Sequence, residues 1–177
     1  MRQNTETVSP MSNQGRQNYV IRHMTESLLT LLEHKAIEDI SICELCDHAG
    51  IGRASFYRNF KSREDILKTY LDQLLYGWKS DWETQNDIPL SSLIYMIFRH
   101  FEQQKDFYRL LSERHLIYLL KDAILDLMEL KPDLPKGEAY AKAFVAYSLY
   151  GWIEVWFQRG MQESAQEMAD LFQSQGL

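Results

Sequence analysis

Ile40-Ser41-Ile42-Cys43-Glu44-Leu45-Cys46-Asp47-His48-Ala49-Gly50-Ile51-Gly52-Arg53-Ala54-Ser55-Phe56-Tyr57-Arg58-Asn59-Phe60 holds two short helical patterns separated by a glycine. Ser41 followed by Glu44 fits a capping box, in which the hydroxyl accepts a backbone N–H and the carboxylate reaches back. Ile42, Leu45, Cys46 and Ala49 then recur at helical spacing on one face, and the small Cys46 and Ala49 permit close helix approach. Gly50 ends this helix because it enters the left-handed conformation without steric penalty. Ile51 fills the corner. A second helix follows from Arg53 to Phe60, with Phe56 and Phe60 one turn apart and facing inward.

The opposite face of that second helix carries Ala54, Ser55, Tyr57 and Arg58, with Arg53 at its flank. Two helices joined by such a turn form a helix-turn-helix, whose second helix enters the DNA major groove while the first packs across it. A face that is small at one spot and surrounded by guanidinium and hydroxyl groups suits base edges and phosphates.

The segment resembles the DNA-binding domain of the TetR family of bacterial transcriptional regulators. The resemblance rests on Ile40-Ser41-Ile42, Leu45, Ala49-Gly50-Ile51, Arg53, Phe56-Tyr57, Phe60-Lys61-Ser62, Glu64 and Ile66-Leu67, within residues 17 to 77. Two positions depart from the family pattern. Gly52 stands where a serine or threonine usually caps the recognition helix, and Asn59 stands where the family usually has histidine. The resemblance implies DNA contact by Ser41, Gly52, Arg53, Ala54, Ser55, Tyr57, Arg58 and Lys61. Ser41, Tyr57 and Lys61 are expected to position the backbone, while Arg53, Ala54, Ser55 and Arg58 face or flank bases. The partner would be double-stranded DNA with a pseudo-palindromic operator.

The net charge of −6 is unevenly distributed. Residues 1–80 sum to zero and residues 81–177 carry the whole −6, while the stretch 53–68 is locally +3. Positive potential is therefore concentrated where the motif expects contact. No long uncharged apolar run suggests a membrane span, and the N-terminus lacks a basic region followed by an apolar core. A cytoplasmic, nucleoid-associated chain with no membrane partner is expected.

The spacing elsewhere predicts an all-α fold in three parts. Residues 1–15 are a polar tail expected to be disordered; for Arg2 and Arg16 a solvated tail is favoured over contact with a phosphate or the minor groove. Residues 16–80 form the DNA-binding domain, with the helix-turn-helix at about 41–60 and a first helix over 17–34 showing Ile21, Met24, Leu28 and Leu31 on one stripe. A fourth helix begins at Ser62, where Ser62 and Asp65 repeat the capping pattern, and runs to about residue 82. Residues 81–177 form a helical regulatory and dimerisation domain. Its helices are expected from Asn86 to about Gln104, from Asp106, over 115–130, over 138–159 up to Gly160, and from Ser164 to about Ser174.

The helix over 138–159 is apolar nearly all round, so its own neighbours can hardly cover every face. The last helix adds a stripe of Ala165, Met168, Ala169 and Phe172, expected to be exposed. The two helices are therefore expected to pair with their copies in a homodimer, through Phe144, Ser148, Gly151, Val155, Met168 and Phe172. The alternative is ordinary intrachain core. The family resemblance also implies a small-molecule effector enclosed by the C-terminal helices, with Trp78, Phe98, Phe101, Tyr118, Tyr147 and Trp152 as candidate lining. Aromatic residues at helical spacing are commonly plain core, so the effector is not identified. The resemblance implies a repressor released from its operator by such an effector; the alternative is a TetR-like regulator, an activator in one version, controlled by a protein co-regulator in place of a small ligand.

Cys43 and Cys46 make a C-x-x-C near His48, but they lie inside a helix and no second ligand pair exists, which favours packing over zinc or redox chemistry. His100 and His115 each lack a nearby partner at ligand spacing. No cofactor is expected. No phosphate loop, nucleophile elbow or paired metal-ligand helix is present, and Asp122, Asp126 and Glu129 read as a solvated face, so an enzyme is not expected.

Overall fold

A computed structural model describes residues 13–83 and 90–175. The described residues are helical: α1 (Asn13–Leu32), a 3-10 turn (Ile37–Asp39), α2 (Ile42–Ala49), α3 (Arg53–Asn59), α4 (Arg63–Glu83), α5 (Leu90–Gln103), α6 (Lys105–Glu113), α7 (Tyr118–Leu127), α8 (Lys136–Gln158) and α9 (Ala165–Ser174). The chain divides into two compact units, the first ending at Tyr70 and the second beginning at Leu71. The expected boundary at residue 80 lies inside α4, which runs through it as one helix. None of these helices is long and apolar enough to cross a membrane.

In the first unit α1, α2 and α3 pack pairwise on one another. Met24, Leu28 and Leu32 of α1, Leu45 and Cys46 of α2, and Phe56 are buried, joined by Phe60 after α3 and by Ile66 and Leu67. The stripe expected on α1 is shifted: Ile21 and Leu31 are only half-buried, whereas Thr25 and Ser27 are buried. Two helices lean on α1, so the covered arc is wider than one stripe, and small hydroxyl side chains fit at its edge. The helix also begins earlier than expected, at Asn13, which puts Arg16 on α1 with its side chain exposed.

In the second unit α5 and α9 form the most extensive helix pair, while α8 packs on α6 and α7. Ile94, Ile97, Phe98 and Phe101 of α5 are buried, as are Ala165, Met168, Ala169 and Phe172 of α9. This corrects the expectation that the α9 stripe is exposed. Met168 and Phe172 are 5% and 8% exposed, because α5, far upstream in sequence, supplies the cover. The small Ala165 and Ala169 allow that close approach.

Among the described residues, four helices end in the same hydrogen-bonded turn, with the chain entering the left-handed region. Gly50 (φ 65°) closes α2, and Ile51 N–H donates to Cys46 C=O at 3.0 Å. Gly160 (φ 75°) closes α8 as expected, with Met161 N–H on Trp156 C=O at 2.9 Å. His115 and Glu129 adopt φ of 57° and 53° after α6 and α7 without being glycine. The His115 turn also explains why α7 begins at Tyr118 and not at residue 115. Lys105 Nζ donates to Met161 C=O at 3.2 Å, tying the α8–α9 corner to the start of α6.

Candidate nucleic-acid interface

Ser41 caps α2, its hydroxyl accepting from Glu44 N–H at 3.0 Å. Only half of the expected capping box forms, because the Glu44 carboxylate pairs with Lys35. That pairing holds the Glu44 carboxyl below the usual carboxylate range. After the Gly50 turn, Gly52 takes the N-cap position of α3 with extended backbone (φ −66°, ψ 142°) and no side-chain hydrogen bond. Its carbonyl accepts from Ser55 N–H at 2.8 Å and starts the helix.

Buried Phe56 and Phe60, with ring centroids 5.9 Å apart, fix the rotation of α3. Their burial turns Arg53, Ala54, Tyr57 and Arg58 outward, with Ser55 half-buried at the edge. Tyr57 is 63% exposed, its ring edge-on to Phe56 at 5.2 Å. Arg58 folds along its own helix: Nε donates to Ala54 C=O at 3.2 Å and Nη2 to Ser55 Oγ at 3.1 Å. Asn59 Nδ2 donates to Ser55 C=O at 2.7 Å, so this residue binds its own helix. Lys61 is exposed, and its backbone N–H donates to Asp65 Oδ2 at 2.9 Å. Asp65 N–H in turn donates to Ser62 Oγ at 3.2 Å, which starts α4. Of the eight residues expected at the DNA face, seven lie on α3 or its two flanks and Ser41 caps the start of α2; Ser41, Gly52, Arg53, Ala54, Tyr57, Arg58 and Lys61 are exposed.

Two features of the face have no sequence signal. Arg63, counted with the positive stretch, turns inward, its Nη1 donating to the carbonyls of Ile40 and, at 3.2 Å, Glu38. It thereby anchors the strand-like entry to α2. An open polar groove of about 970 Å³ also runs between the N-terminal half of α1 and the later part of α3, bordered by Arg16, Tyr19, Arg22, Ser55, Arg58 and Asn59.

The described candidate effector residues stand in different settings. Phe98 packs edge-on to Trp156 at 5.4 Å, and Phe101 on Tyr108 at 4.6 Å. Both phenylalanines are core. Trp152 is half-buried against Phe172 at 5.2 Å, whereas Tyr118 and Tyr147 stand at the surface. The Trp78 side chain lies outside the described residues. His100 is part-buried with Nε2 3.3 Å from the Tyr108 hydroxyl, and burial pushes its pKa down to about 4.

The two cysteines separate. Cys43 is exposed with its thiol 3.8 Å from Asp47 Oδ2, while Cys46 is core, where burial and then Asp47 push its thiol pKa up. Among the described residues no group of three or more His, Cys, Asp and Glu is placed to hold a metal ion.

Comparison with known proteins agrees at both ends of the chain. Residues 26–70 match the family profile of bacterial regulatory proteins of the tetR family, and residues 90–174 match a TetR-type profile described as a transcriptional regulator C-terminal region. No curated protein matches the sequence. Lin0861 from Listeria innocua has a similar fold, with a TM-score of 0.71, 17% identity and 94% of each chain covered. A TetR transcriptional regulator from Streptococcus agalactiae is also similar, with a TM-score of 0.62 and 17% identity over 92% of this chain and 96% of that one. With a buried-anchored recognition helix after a glycine turn, and with family profiles matched on both the head and the C-terminal helices, this chain belongs to the TetR family of bacterial transcriptional regulators.

Proposed function

We propose that the protein is a homodimeric repressor that reads a pseudo-palindromic operator through α3 and is released by a small-molecule effector. The observation that carries the DNA reading is the outward row of Arg53, Ala54, Tyr57 and Arg58, held in register by buried Phe56 and Phe60. A guanidinium can bond bidentately to guanine, a methyl side chain can contact thymine, and the tyrosine and Lys61 can reach phosphates. Repression by occluding a promoter, and release by a ligand, rest on the family. Footprinting on the DNA flanking its own gene is expected to show two protected half-sites about one helical turn apart. Protection no stronger than on random DNA overturns the operator reading. Effectors are sought by thermal shift, since a ligand selective for the folded state raises the melting temperature.

The dimer reading is supported by the outer face of α8. Phe144 and Val155 are 59% and 53% exposed, and Ser148 and Gly151 lie between them on the same row. The row is continued by Leu171 of α9, which stands outside while Met168 and Phe172 turn into the core. An open groove of about 600 Å³ joins the two helices, bordered by Gly151, Trp152, Val155, Met168 and Leu171. A second copy related by two-fold symmetry would cover this face and place two α3 helices on two half-sites.

One observation favours a protein co-regulator as the alternative signal. Phe98 and Phe101 are occupied in ring packing, while Tyr118, Tyr140 and Tyr147 offer aromatic surface outside the core. Retention of a co-regulator by the dimer, with no small molecule raising its melting temperature, supports this alternative.

A further inference from the structure

We propose that Arg63 is a positioning residue for DNA binding: it staples the two ends of the helix-turn-helix together and so holds the Ser41 hydroxyl at a backbone phosphate, without touching DNA itself. The inference rests on the DNA reading above and deepens it.

Arg63 opens α4, 23 residues along the chain from Ile40 and 25 from Glu38, yet its Nη1 donates to the carbonyls of both. Those carbonyls belong to the stretch that delivers the chain to α2. Asp39 N–H and Ile40 N–H close the 3-10 turn on Ala36 C=O and Ile37 C=O at 3.1 and 3.3 Å, and Ile40 is then extended (φ −87°, ψ 109°). The bonds of α2 start one residue later, with Leu45 N–H on Ser41 C=O at 3.0 Å. The Ile40 carbonyl therefore falls between two hydrogen-bonded elements, and the guanidinium supplies its donor. The Ile40 side chain is fully buried. Packing on one side and Arg63 on the other thus fix the peptide that leads into Ser41.

The other end of the staple is also fixed. Lys61 N–H donates to Asp65 Oδ2 at 2.9 Å and Asp65 N–H to Ser62 Oγ at 3.2 Å, which locks the turn from which half-buried Arg63 projects. Ser41 and Lys61, both read as grips on the DNA backbone, stand near the two ends of a segment that this one side chain closes. Ser41 Oγ accepts from Glu44 N–H at 3.0 Å, which leaves its own O–H to donate outward to a phosphate oxygen. Arg63 Nη1 carries its hydrogens in the rigid guanidinium plane, one for each carbonyl. A lysine ammonium is shorter, rotates freely and holds water more strongly, so charge alone does not reproduce the staple.

The test measures the affinity of the full chain for a duplex selected from a random pool and for a scrambled duplex. It compares the intact protein with R63K, S41G and S41G/R63K. R63K keeps the charge and removes the staple. Glycine is an accepted N-cap, so S41G removes the hydroxyl while α2 keeps its start. Each single variant is expected to weaken binding about tenfold, the scale of one hydrogen bond to a charged acceptor, and equally on both duplexes because phosphate contacts carry no sequence information. The double variant is expected to lose about tenfold and not about 100-fold, since Arg63 acts through Ser41. The slope of log affinity against log salt should be unchanged in R63K, because no phosphate loses a cation. Intact affinity in either single variant overturns the proposal, and so does multiplication of the two losses in the double variant. Loss of the helical circular dichroism signal in R63K overturns it too, because Arg63 would then be needed to fold the head. Equal binding of the intact protein to selected and scrambled duplexes overturns instead the underlying operator reading.

Discussion

Arg58 is proposed as a base reader, and its guanidinium is engaged on its own helix by Ala54 C=O and Ser55 Oγ. These exposed bonds are weak beside a bidentate pair with guanine, so the side chain can exchange them on binding. Arg58→Ala is expected to cost about 1–3 kcal/mol on the preferred operator and to relax selectivity at one base pair, read by binding to single-substitution duplexes. Uniform weakening on every sequence would make Arg58 a phosphate contact. Gly52 offers a gain. Its backbone already has N-cap geometry, and a Cβ there meets no atom within 4 Å. Gly52→Ser therefore adds a capping hydroxyl without strain and is expected to stabilise the head by a few tenths of a kcal/mol, seen as a higher denaturation midpoint. It should also tighten DNA binding if the hydroxyl reaches a phosphate.

At the scale of elements, helix ends decide where the chain turns. The capping box at Ser164 is complete: Ser164 Oγ accepts from Glu167 N–H at 3.3 Å, and Glu167 Oε2 accepts from Ser164 N–H at 2.8 Å. These bonds hold the Glu167 carboxyl below its usual range. Ser164→Ala is expected to destabilise the protein by about 1 kcal/mol, measured by urea denaturation. An unchanged midpoint would mean that packing on α5 alone fixes the start of α9. The capping residues and glycine stops were legible in the sequence because they act within five residues of the backbone they satisfy. The burial of α9 was not legible there. Its apolar row fits equally a partner chain or α5, and periodicity names a buried face without naming what buries it.

Across the whole molecule, the exposed α8 row predicts self-association. Val155→Glu places a charge in the centre of the proposed interface and should shift the protein from dimer to monomer in light scattering, with loss of operator affinity. A dimer that persists unchanged would move the interface elsewhere. Acid stability provides a second test. Burial lowers the His100 pKa from 6.5 to about 4, so the folded protein keeps this imidazole neutral where the unfolded chain protonates it. This group's contribution is intact above about pH 6.5 and is lost as pH falls toward about 4. His100→Gln should flatten the difference in denaturation midpoint between about pH 7 and about pH 4.5 relative to the native protein, and an identical pH dependence would refute the assignment.

Near neighbours at fixed spacing encode the helix-turn-helix, its inward phenylalanines, its outward arginine face and most helix ends, so these were legible before folding. Tertiary structure alone decided three matters. It turned Arg63 onto the Ile40 and Glu38 carbonyls and away from the DNA face. It set Phe98 and Phe101 in a packed ring cluster and α9 against α5. It also brought Arg16 and Arg22 beside Arg58 across the α1–α3 groove. Each depends on residues distant along the chain meeting in space, and local periodicity carries no record of such meetings.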